Sequence, residues 1–200
     1  MIKKLAQCLF LITFVLTPNS FGVEFQLEPY LGYGLGNLQL GDKRVVNKDL
    51  GAYLLGIRGG LTFGKNIFLA LDYSRVGPLN LKVTEETSPF EGQRLIFNSF
   101  STGAGLGIKM SSLRLWAGYY PSSTLQEYLQ DLTYKGTMFR VGVGLEIGKF
   151  LTVGLYQDTF SLKTKLSDTD KGVVCTNWAV DGCSERGSLR MTHFVVSTSL

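Results

Sequence analysis

The feature that most constrains this chain is an alternation of period two whose off-beat is glycine. From Val23, one face reads Val23, Phe25, Leu27, Pro29, Leu31, Tyr33 and Leu35, and the other Glu24, Gln26, Glu28, Tyr30, Gly32, Gly34 and Gly36. Successive side chains of a strand point to opposite faces, so this is a strand pattern and not a helical one. The same grammar returns around Tyr53–Phe63, Ile67–Tyr73, Phe100–Ile108, Leu113–Tyr119, Phe139–Ile147, Leu151–Leu155 and over roughly 189 to 200. That makes eight strands. Short links at Gly64-Lys65-Asn66, Met110-Ser111-Ser112 and Gly148-Lys149-Phe150 alternate with longer polar segments at 37–50, 77–93, 121–133 and 163–188. An up-and-down antiparallel barrel with all its short turns at one end produces this order.

Residues 1–22 read as a secretory leader: Lys3 and Lys4 precede the apolar stretch Leu5 to Leu16, and Ser20-Phe21-Gly22 offers a cleavage point. Residues 23–200 then form one domain. Losing Lys3 and Lys4 lowers the formal charge from +4 to +2, and the remaining basic residues are scattered, so no nucleic-acid partner is expected. After Gly22 the longest apolar run is Ile67 to Leu71, far too short for a helical span. Yet mean hydropathy is positive, at +0.13, and only 18% of residues are charged. So much apolar surface needs an unusual place to go.

Two opposite proteins fit eight alternating strands: a soluble lipocalin-type barrel that binds an apolar ligand inside, and a membrane barrel that turns its apolar face to lipid. The glycine face decides between them. In water it would be a weak strand surface, whereas inside a narrow barrel small residues make room for Tyr30, Trp116, Tyr120 and Tyr156. Tyr33, Tyr53, Phe63, Tyr73, Tyr119 and Phe139 fall near strand ends, where interfacial aromatic girdles belong. The expected fold is therefore an all-β, eight-stranded transmembrane barrel with short periplasmic turns and long extracellular loops.

The segments Leu31-Gly32-Tyr33-Gly34-Leu35-Gly36, Gly103-Ala104-Gly105-Leu106-Gly107 and Val141-Gly142-Val143-Gly144-Leu145 resemble the small outer-membrane barrels of the OmpA transmembrane-domain, OmpX and Ail type. The likeness covers residues 23–200 and is architectural. It implies residence in a bacterial outer membrane, contact with its lipid and lipopolysaccharide, and insertion by the outer-membrane assembly machinery. That machinery reads an aromatic or apolar last strand, and this chain ends in Leu200 where the family has Phe.

Inward charges fall in two layers. Glu28, Arg58, Asp72, Arg140 and Asp158 are expected near mid-barrel, and Glu24, Lys109, Arg114 and Glu146 near the short-turn end. Unpaired buried ions are costly, so Arg58 should pair with Glu28 or Asp72, and Arg114 with Glu146 or Glu24. Such a network fills the lumen with polar side chains as a plug; a small-solute or ion pore is the alternative. No enzymatic role is expected, because His193 lies apart from Ser197 and Ser199 along its strand. Gly32-x-Gly34-x-Gly36 is no nucleotide loop, since no helix follows it. No cofactor or metal is expected with a single His. An exported chain makes a Cys175–Cys183 disulfide plausible. Thr124-Leu125-Gln126-Glu127 fits a capping box, with Leu125, Tyr128, Leu129 and Leu132 at helical spacing, so a short helix is expected over the barrel mouth. Segments 121–133 and 163–188 are the surfaces offered to an extracellular partner.

Overall fold

The computed structural model describes residues 22–40, 45–64, 66–82, 94–127, 133–148, 150–164 and 186–199. Eight strands follow in chain order: β1 Val23–Leu40, β2 Val45–Phe63, β3 Ile67–Lys82, β4 Arg94–Met110, β5 Leu113–Glu127, β6 Thr133–Ile147, β7 Leu151–Thr164 and β8 Arg186–Thr198. Each pairs antiparallel with its chain neighbour, and β1 closes the barrel on β8 through pairs such as Tyr33 with Phe194. Every strand thereby has a paired neighbour on both sides, the condition for strands to cross hydrocarbon, with the β1–β8 ladder running from Tyr30 to Leu40. At the tight end, Gly64 and Gly148 take positive φ of 62° and 69°, and Ser111 does the same between β4 and β5.

Which face points outward is settled by exposure. Leu55, Leu71 and Leu106 are 50%, 72% and 57% exposed, while Arg58 on the other face is 2% exposed. An apolar belt of Leu, Ile, Val and Phe thus encircles a polar interior, the inverse of a soluble barrel, and this surface is built to face lipid. Tyr33, Tyr53, Tyr73, Tyr119, Phe139 and Phe194 ring its upper edge, with Tyr33 and Tyr53 edge to face at 5.3 Å. Phe25, Phe63 and Phe150 stand exposed near its lower edge.

The strands are longer than their alternation suggested. They run 13 to 19 residues, whereas about 9–11 cross a bilayer. Above the aromatic ring both faces change character. Outward positions become polar, as at Asn37, Arg75, Gln126, Lys135 and Thr159. Inward positions become apolar: Leu38, Leu79, Phe97, Leu125, Phe160 and Leu189 are fully buried. The strands therefore continue past the membrane as a collar packed like an ordinary soluble β-barrel.

Two expectations are corrected here. Where the short helix was expected to begin, at Thr124 to Glu127, the chain is strand, because β5 continues through Glu127 and Leu125 is paired on both sides, to Ser99 and to Tyr134, while 128–132 lie outside the described residues. Two ladders satisfy these backbone groups, and that outweighs a local capping preference. The lumen is also not filled by polar side chains throughout, since its collar half is apolar. The leader, Cys175, Cys183 and most of segment 163–188 lie outside the described residues.

Candidate functional site

The inward-facing layer at mid-barrel is where the chain concentrates its chemistry. Strand register explains how it forms. Glu28 stands opposite Arg58 on β2, and Arg58 opposite Asp72 on β3, so three charges of alternating sign occupy one cross-strand row. Across the barrel Arg140 on β6 stands opposite Asp158 on β7. Opposite signs directly across a ladder stabilise the pair, so the sheet holds these groups together before any tertiary contact is made.

The side chains complete the network. Arg58 donates to Asp72 at 3.0 Å and lies 3.5 Å from Glu28. Arg140, fully buried, makes a bidentate pair with Asp158 at 2.5 and 2.7 Å. It also donates to the Tyr30 hydroxyl at 2.8 Å, which in turn donates to Asp72 at 2.6 Å. Tyr30 thus joins the two halves of the layer. Ser197 donates to Glu28 at 2.6 Å, and His193 Nε2 lies 3.3 Å from Asp158.

Aromatic rings exclude water from these charges. The Arg58 guanidinium is 3.6 Å from the Trp116 ring centroid, with Tyr30 and Tyr156 at 5.3 and 5.5 Å. Arg140 is flanked by Tyr120 at 5.3 Å. Glycines make this crowding possible. A Cβ on Gly56 would collide with the Tyr30 ring, one on Gly107 with Phe68, and one on Gly142 with the Trp116 nitrogen. The glycine face is therefore a set of sockets for neighbouring rings.

Of the nine charged positions singled out from the sequence, Glu28, Arg58, Asp72, Arg114, Arg140 and Asp158 are buried and Glu24, Lys109 and Glu146 line the short-turn end, but the lower pairings differ from expectation. Arg114 pairs with Glu28 at 2.8 Å instead of Glu146 or Glu24, stacking over Phe68 at 4.1 Å. Glu146 pairs with Lys109. The cause is direction. Arg114 is long enough to rise into the dry mid-barrel layer, where Glu28 needs a second cation, and its departure leaves Glu146 to Lys109. Arg58, Arg114 and Arg140 then stand against Glu28, Asp72 and Asp158, three cations to three carboxylates.

Below Arg114 the short-turn end opens into a cavity of ≈ 500 Å³ lined by Glu24, Gln26, Thr62, Lys109, Glu146 and Ser199 among others. Phe68 and Arg114 belong to its lining. Within the layer Ser197 is held by Glu28, and His193 faces Asp158. Among the described residues, no three His, Cys, Asp or Glu side chains converge as metal ligands.

The residues that sequence reasoning missed are those of the collar interior. Leu38 continues the inward phase of β1, hidden by the polar residues beside it, but Leu79 and Leu125 fall out of phase, because irregularities between Val76 and Leu79 and between Tyr120 and Ser123 shift the alternation.

No protein-family model matches this chain, and no curated protein matches it. Solved structures do. Neisserial surface protein A is similar with a TM-score of 0.51 and 11% identity, over 88% of this chain and 98% of that one. Ail, the attachment invasion locus protein of Yersinia pestis, is similar with a TM-score of 0.50 and 11% identity, over 88% and 99%. At such identity the likeness is one of fold: an eight-stranded antiparallel barrel of the small outer-membrane type.

Proposed function

We propose that this protein is a sealed barrel of the bacterial outer membrane that acts through its outer surface and its extracellular rim rather than by passing solutes. The observation that carries this reading is the stacking of two different seals in one lumen. The lower is the ring-packed charge layer around Arg58 and Arg140. The upper is the apolar packing of Leu38, Phe97, Leu125, Phe160 and Leu189. A hydrated ion moving through would have to displace paired guanidiniums and then cross an apolar layer, each at a cost of several kcal/mol.

In this role the apolar belt contacts membrane lipid and lipopolysaccharide, the outer-membrane assembly machinery inserts the chain, and segments 121–133 and 163–188 face possible extracellular partners. Planar-bilayer recordings of refolded protein test the seal. No steady conductance is expected from the native chain; nanosiemens channels that persist over minutes would establish the pore reading in its place. A change in gel mobility on boiling is expected of the detergent-extracted barrel, and unchanged mobility would count against the membrane assignment.

A further inference from the structure

The cavity of ≈ 500 Å³ at the short-turn end is lined by two charged groups whose bonding is incomplete. Arg114 lines it and is only 4% exposed. Its guanidinium carries five N–H donors, yet its one charge partner among the described residues is Glu28 at 2.8 Å, and none of those donors has a well-aligned acceptor there. Buried donors of a charged group are costly to leave unmet, so this end of the cavity calls for an oxygen acceptor. Glu24 shows the opposite lack. It is exposed, lines the same cavity and has no cation partner among the described residues.

The other polar groups of the lining engage one another. Lys109 is paired with Glu146, Gln26 donates to Ser199 at 2.8 Å, and Thr62 donates to Gln26 at 3.4 Å. Arg114 is matched by the carboxylates of the charge layer and Lys109 by Glu146, so Glu24 leaves the mouth with a negative charge in excess. A simple anion would meet Arg114 against the field of Glu24, and a simple cation would leave the Arg114 donors unmet. A ligand with one group of each kind satisfies both.

Distance sets the length of that ligand. Glu24 and Glu28 lie four residues apart on one face of β1, and Arg114 reaches Glu28. At roughly 3.3 Å per residue and a strand tilt of about 40°, the two sites are on the order of 10 Å apart. The ammonium and carboxylate of a single amino acid are too close together to reach both, whereas an extended chain of about three residues spans the gap. The volume falls within the range of small-ligand pockets. Phe68, over which Arg114 stacks at 4.1 Å, also lines the cavity and offers the middle of such a ligand an apolar rest.

We propose that this mouth is a binding site for short zwitterionic peptides of about three residues, with the carboxylate end at Arg114 and the ammonium end at Glu24. It goes beyond the sealed-barrel reading, since the ligand is held below the charge layer and not passed through it.

Calorimetric titration of the refolded protein in phosphatidylcholine nanodiscs, with trialanine as the probe, tests the site. Trialanine is expected to bind at least about tenfold more tightly than its N-acetylated form, its C-amidated form or free alanine. Glu24→Gln should abolish the preference over the acetylated form and keep that over the amide, and Arg114→Gln should do the reverse, both with the heat-dependent gel shift intact. Arg75→Gln, on the outer wall of the collar, should alter neither preference. Should Arg114→Gln misfold, the amide comparison on the native chain decides its part. No binding of trialanine at millimolar concentration, equal binding of the blocked forms, or an unaltered preference in folded Glu24→Gln would overturn the proposal. Steady conductance by the native chain would instead defeat the sealed-barrel reading and leave this site standing.

Discussion

The mid-barrel layer and the collar share one lumen and one set of strands, yet they are held by opposite means. At mid-barrel the outside is apolar and the inside carries three arginines against three carboxylates. In the collar the outside is polar and the inside carries leucine and phenylalanine. Each level places inside what the solvent at that level does not favour outside. The contrast teaches that the polarity of a barrel interior is set level by level by its surroundings, and that the crossover marks where the strands leave the membrane.

The contrast is sharpest if one charge is removed from the middle. Asp158→Ala leaves Arg140 without its bidentate acceptor, and should cost about 3–5 kcal/mol in urea unfolding from lipid vesicles. Replacing Arg140 and Asp158 together by Met and Leu should recover much of that loss. If the double variant were as unstable as the single one, the layer would need its charges for more than mutual neutralisation.

In the collar, Leu189→Ala removes a fully buried side chain and should cost about 3 kcal/mol by the same measurement. A much smaller cost would mean that the collar is loosely packed, and the upper seal would be in doubt. Gly142→Ala drives a methyl group into Trp116 and should cost about 2 kcal/mol, falling towards zero when Trp116 is also Phe. At the mouth, Lys109→Met breaks an ion pair whose lysine is 40% exposed, and a loss below about 1 kcal/mol is expected. A larger loss would extend the dry layer down to the short turns.

Strand number and the two strand faces at the level of the belt were legible in the sequence, because there the alternation runs unbroken. Leu31-Gly32-Tyr33 announces its two sides wherever it sits. Strand length was not legible. Asn37 and Gln39 look like loop residues, although they are outward positions in a continuing ladder. Thr124 to Glu127 looked helical for a related reason, since capping preferences are local and the ladders that override them come from β4 and β6. The Glu28–Arg58–Asp72 row could be anticipated because it joins consecutive strands at matching register. The Arg114–Glu28 pair could not, because β5 and β1 meet only across the closed lumen.

The sockets at Gly56, Gly107 and Gly142 bear on how such a protein can change over generations. A ring and the bare backbone it rests on make one joint, so neither member can be altered alone without strain. Descendants of this chain should trade bulk across the seam in coupled steps, a smaller ring at 116 arriving with a side chain at 142. A record of those paired exchanges would trace the barrel's internal geometry in sequences alone.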